Sequence, residues 1–135
     1  MTPRLQAWWK QAESDLAMAE FARAGGFFAQ ACYHCSQAAE KALKGLLIAL
    51  GEEPPRSHAL ERLVDALAAT GLPVDQLREL QLKALSRMTT ATRYPDGDEA
   101  PVDLFDDRDC AQALAIARSV LANVREQLQQ PDGPG

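Results

Sequence analysis

The sequence predicts an all-α fold: a five-helix up-down bundle with three long helices and two short ones. Three observations carry that prediction. Apolar residues recur at helical spacing along almost the whole chain, and period-two alternation is sustained nowhere. The apolar segments are separated by Gly-Gly, Gly, Pro-Pro and a stretch holding both residues, which are the residues that end helices. The chain has 135 residues, 47% of them hydrophobic and 24% charged, which suits one core and leaves no room for two.

The first helix is expected to start at Thr2, an N-cap residue, with Pro3 at the first helical position. Leu5, Trp8/Trp9, Ala12, Leu16 and Ala19 form its stripe, and Gly25-Gly26 ends it. The second helix runs from Phe27 to Leu50. Phe28, Cys32, Cys35, Ala39, Ala42, Leu46 and Ala49 make a seam of alternating four and three spacings, mostly of small side chains that let another helix approach closely. Gly51 stands where a left-handed C-terminal cap is expected. Pro54-Pro55 forbids helix in the next loop, and Ser57 is the expected cap of a short third helix carrying Leu60, Leu63, Val64 and Leu67. Gly71 stops it. After Pro73 a fourth helix places Leu77, Leu80, Ala84, Leu85 and Met88 inward, and Arg93–Phe105, with Pro95, Gly97 and Pro101, reads as loop. The fifth helix begins near Asp106 or Asp107 and carries Cys110, Leu114, Ala117, Leu121, Val124 and Leu128. Residues 1–129 are therefore expected to form one domain and 130–135 a flexible tail.

Nineteen acids against 14 bases give a net charge of −5, so no global attraction to nucleic acid is expected. The charge is uneven: residues 1–95 are net +1 and residues 96–135 net −6, which confines any basic site to the first two-thirds. Three cysteines, an odd number, argue against a secreted disulfide framework and for a reducing cytoplasm. The opening residues lack a signal-peptide core, and the longest apolar-rich stretch, Ala42–Leu50, is far short of the roughly 20 residues a membrane span needs.

Opposite the small-residue seam of the second helix, Gln30, Tyr33, His34, Gln37, Glu40, Lys41 and Lys44 share one sector. It reads in two ways. One is a solvated face with Gln37–Lys41 and Glu40–Lys44 as supporting pairs. The other is a ligand surface, in which Tyr33 offers a stacking face, Gln37 an amide fork, and Lys41 with Lys44 two cations one turn apart for a phosphate chain.

The run Tyr33-x-x-x-Gln37-Ala38-x-Glu40-Lys41-x-x-Lys44, then His58-x-Leu60, then Arg93-Tyr94-Pro95, resembles the HEPN family (higher eukaryotes and prokaryotes nucleotide-binding). Asp15-Leu16 followed by an alanine-rich turn and Gly25-Gly26-Phe27-Phe28 fits as well, so the resemblance spans roughly residues 5–128. It implies an all-α bundle of about five helices that pairs as a homodimer, and a minimal nucleotidyltransferase as partner. One branch of the family contains ribonucleases and toxins marked by an arginine followed four to six residues later by a histidine. Here His34 follows Arg23 by eleven positions and His58 follows Arg56 by two, so the motif is absent.

The resemblance thus implies the other branch: a nucleotide-binding or substrate-binding helper with no catalysis of its own, in a setting that can be toxin–antitoxin-like. Its candidate residues are Tyr33, Gln37, Lys41, Lys44, His58, Arg93 and Tyr94, with the cations on phosphates and a tyrosine on a base. No resident cofactor is expected; the ligand would be a nucleotide such as ATP or GTP, with or without Mg²⁺. Two alternatives stay open, a divergent metal-independent ribonuclease toxin using His58 with Arg56 or Arg93, and a pure protein-interaction module. Arg93 itself reads either as a phosphate clamp or as the partner of Glu40, with Tyr94 packed and Pro95 stopping the helix. His58 reads either as a hydrogen-bond donor that titrates near neutrality or as a helix-start residue held against the core.

Cys32-Tyr33-His34-Cys35 does not suit a metal, because on a helix the two cysteines face the seam while His34 points to the polar side. Buried core cysteines are expected. The run Asp96–Asp109 holds seven acids and one base but lacks the spacing of an EF-hand loop. It reads as a solvated segment with helix-capping aspartates, and no Gly-rich phosphate loop or serine-hydrolase elbow appears. Trp8 and Trp9 are adjacent, so at least one is expected to cover an edge or meet a second subunit.

Overall fold

The computed structural model describes residues 1–130, so the expected tail lies, beyond Gln130, outside the described residues. The described residues form seven helices: α1 (Pro3–Ala24), α2 (Phe28–Ala49), α3 (Leu60–Ala69), α4 (Asp75–Arg78), α5 (Leu82–Ala91), α6 (Pro101–Leu104) and α7 (Asp107–Gln129). The all-helical prediction holds and the count of five does not. The three long helices are α1, α2 and α7, and α3 is the short third helix. The expected fourth helix is instead broken at Glu79–Gln81 into α4 and α5, with Leu82 N–H turning back onto the Leu80 carbonyl. The stretch expected to be loop contains the single turn α6, opened by the buried Pro101 at its first position.

Local chemistry sets the long-helix ends. The Thr2 hydroxyl accepts from Leu5 N–H in front of Pro3, as its sequence position suggests. Gly26 and Gly51 both adopt φ of +82°, the left-handed turn that ends α1 and α2. Asp106 and Asp109 form a reciprocal capping box at the start of α7. Ser57 differs from expectation: its hydroxyl accepts from Ala59 N–H, ahead of the helix, while Leu60 N–H at the start of α3 donates to Ser86 Oγ of α5. An orphan donor is thus met across the fold, tying α3 to α5.

α2 is the central helix. It packs against α1 on one side and α7 on another, and α3, α5 and α6 close over the rest. The core joins the α2 seam, the α7 stripe, Ala12, Ala19 and Ala22 of α1, and the leucines of α3, α4 and α5 in one cluster. Twelve large side chains, Leu43, Leu46, Leu47 and Leu114 among them, are almost completely buried. Each contributes about 1.5–3 kcal/mol relative to an exposed position. α1 passes close to Gly45, where a Cβ would lie 3.4 Å from Trp8 Cβ, in ordinary van der Waals contact. Trp8 and Trp9 are both half-buried, and Trp9 lies under the Arg125 guanidinium at 5.5 Å. Arg125–Glu13, Arg118–Glu20 and Arg23–Asp107 join α7 to α1 along the outside. No described helix is long and apolar enough to cross a membrane.

Candidate functional site

Apart from the exposed Gln30, the polar sector of α2 is not a solvated face, because neighbouring elements cover it on two sides. Glu40 is 5% exposed and Lys44 9%. The Lys44 ammonium donates to Glu40 Oε2 at 3.1 Å, and His58 Nδ1 lies 2.8 Å from Glu40 Oε1. Toward α1, Asp15 is buried, with Oδ2 accepting from the Lys41 ammonium and Oδ1 3.2 Å from His34 Nδ1. Each buried carboxylate is thus held by one lysine of α2 and one histidine. A carboxylate only accepts, so Nδ1 is the proton-bearing nitrogen of both imidazoles and Nε2 stays free. The Glu40–Lys44 pair forms as its spacing suggests; Lys41 turns to Asp15 rather than to Gln37.

Arg93 follows the C-terminus of α5 and does not pair with Glu40. Its Nε donates to the Thr89 carbonyl at 2.7 Å, capping the last turn of α5, where a cation is favoured. The guanidinium lies 5.0 Å from the centre of the Tyr33 ring and 5.1 Å from that of Tyr94. Two aromatic faces and a backbone carbonyl therefore hold it in place. Tyr33 is half-buried, while Tyr94 is exposed rather than packed. Gln37, one turn beyond Tyr33, is half-buried and makes no side-chain hydrogen bond to a described residue.

Beside this stack lies an open cleft of about 320 Å³ between the start of α3 and the outer face of α5, lined by His58, Lys83, Arg87 and Arg93 among others. Its walls are joined by Ser86, whose hydroxyl donates to Glu61 Oε2 at 2.9 Å while accepting from Leu60 N–H. Of the predicted residues, the structure brings Tyr33, Arg93 and Tyr94 together, with His58 and Arg93 on one cleft. It turns Lys41 toward α1, beside a groove that it lines with Trp8. The amines of Lys41 and Lys44 are both occupied by carboxylates.

Sequence reasoning missed Asp15, Lys83 and Arg87 as site residues. Asp15 carries a signal, since it sits on the buried stripe of α1 between Ala12 and Ala19, where a carboxylate needs a partner. Lys83 and Arg87 are one turn apart on the face of α5 opposite Leu82, Leu85 and Thr89, and nothing local marks them out.

The cysteines are core groups. Cys32, Cys35 and Cys110 are free and fully buried, with Cys32 Sγ 3.8 Å from Cys110 Sγ. Burial raises all three thiols, Cys35 to about 12. At the start of α7 the Asp109 backbone N–H holds the Asp106 carboxyl below the ordinary range, and Arg23 does the same for Asp107.

This arrangement defines an all-helical domain with a polar site built on its central helix. The HEPN domain model matches residues 5–127. The structure is similar to that of TT1696 from Thermus thermophilus, with a TM-score of 0.78 and 32% identity over 93% of this chain and 98% of that one. It is also similar to ST0689, an archaeal HEPN homologue, with a TM-score of 0.76 and 35% identity over 95% of this chain and 100% of that one. No curated protein is a significant match. The chain belongs to the HEPN family.

Proposed function

We propose that the protein is a non-catalytic nucleotide-binding helper that works in the cytoplasm as a homodimer, beside a minimal nucleotidyltransferase partner. One observation carries the nucleotide reading: Arg93 is fixed between Tyr33 and Tyr94 at the edge of a cleft lined by further cations. A guanidinium already oriented by rings loses little freedom on gripping a phosphate, and the exposed Tyr94 offers its outer face to a base. Lys41 and Lys44 then serve to fix α2 and its neighbours rather than to bind the ligand. Exposed Met18, Phe21 and Phe27 offer apolar area for a second copy. The nucleotidyltransferase partner rests on family membership.

Calorimetric titration with ATP and GTP, with and without Mg²⁺, tests the reading. Saturable binding that is lost in Arg93→Ala supports it. Absence of heat with every nucleotide overturns it and favours a protein-interaction module.

The ribonuclease alternative draws on a separate observation. Glu40 orients His58 through Nδ1 at the edge of the cationic cleft, as a general base would need. Growth arrest on expression, relieved by His58→Ala, favours that reading over the helper.

A further inference from the structure

Seven of the 14 Lys and Arg side chains sit in ion pairs within the described residues. Of the seven that do not, three line the same cleft: Lys83, Arg87 and Arg93. Lys83 and Arg87 are four residues apart on one face of α5, a spacing at which like charges repel. The one carboxylate on the cleft is Glu61, so the lining is net positive by two even with His58 neutral. In a chain of net charge −5 this convergence lacks only an anion.

The walls of the cleft are fixed in relation to each other. Ser86 pins α3 to α5, Glu40 holds His58, and the two tyrosines hold Arg93. A volume of about 320 Å³ is at the small end for ligand pockets, and every lining residue but Ala59 is of a polar or charged type. It suits a chain of phosphates better than a whole nucleotide, and it leaves the base outside, beside Tyr94.

We infer that Lys83, Arg87, Arg93 and His58 form a polyphosphate subsite, and that the ligand is a nucleoside di- or triphosphate recognised chiefly through its phosphate chain. This rests on the nucleotide reading above and extends its phosphate contacts from Arg93 to Lys83 and Arg87 of α5. The ammonium of Lys83 supplies a point charge, while the Arg87 and Arg93 guanidinium groups can fork onto phosphate oxygens. A free inorganic polyphosphate presents the same chemistry, so the test must separate the two sources.

The test is calorimetric titration of the full chain with AMP, ADP, ATP and inorganic tripolyphosphate. Each is repeated with Lys83→Gln/Arg87→Gln, and with Lys41→Gln as control, folding being checked by circular dichroism. Affinity is expected to rise from AMP to ATP, to fall about tenfold or more for each cation removed, and to persist in the control. If ATP binds the double variant as tightly as the parent, the subsite is wrong and the nucleotide reading survives. If tripolyphosphate binds as tightly as ATP and is lost in the double variant, the subsite stands and the nucleotide reading fails. If neither binds, both fail.

Discussion

Removing the Glu40 carboxylate tests whether the buried charges of α2 are held as the structure describes. In Glu40→Ala the Lys44 ammonium, 9% exposed, loses its counter-ion, and His58 loses the oxygen that orients it. At 3.1 Å the Glu40–Lys44 attraction is about 5 kcal/mol with an effective dielectric constant near 20. Breaking a buried pair from one side costs about 3–5 kcal/mol, because the surviving charge stays out of water. For a chain of this size that lowers the melting temperature by roughly 10–18 °C. Replacing both partners with apolar groups, as in Glu40→Leu/Lys44→Met, removes the stranded charge and is expected to recover at least about 2 kcal/mol over Glu40→Ala. Urea unfolding followed by circular dichroism measures both. A loss below about 1 kcal/mol in Glu40→Ala, or a double variant no better than the single one, would refute the argument.

Three further outcomes follow from other parts of the fold. The cysteine thiols should be silent to a disulfide reagent in the native protein and react fully in urea. Because burial raises Cys35 to about 12, its contribution is complete below the unfolded value of 9.0 and is lost as pH rises above it. The urea midpoint should therefore fall on the alkaline side less steeply in Cys35→Ala. Asp106→Ala removes the capping box of α7 and should lower the urea midpoint at neutral pH. The folded Asp106 carboxyl lies below its ordinary range, so its stabilisation is present above that range and disappears as pH falls through the folded value; the gap to the variant should close in acid. Gly45→Ala should be neutral or stabilising by up to about 1 kcal/mol, since its Cβ meets Trp8 at 3.4 Å and gains helix propensity, whereas Gly45→Leu should destabilise in the same unfolding assay.

Much of the fold is legible in single residues. Thr2 before Pro3, Gly26, Gly51 and Asp106 each act locally, so their roles follow from residue type alone. The break between α4 and α5 is not legible, because Leu80 and Leu82 keep the apolar pattern going and no Pro or Gly stands at 79–81. Burial of Glu40 and Lys44 is hidden for a different reason. A helical wheel ranks the faces of one helix but does not count its neighbours, and α2 has neighbours on nearly every side. The same limit separates Tyr33 from its true companion: the Arg93 ring stack joins residues 60 positions apart, which only the packing of α5 on α2 brings together.

The most direct measurement is an amide chemical-shift map of the ¹⁵N-labelled protein titrated with ATP. Saturable shifts are expected to cluster at Lys83–Tyr94, His58 and Tyr33, with residues around Lys41 and Trp8 unmoved. Shifts confined to the Lys41 side of α2, or none at all, would contradict this placement.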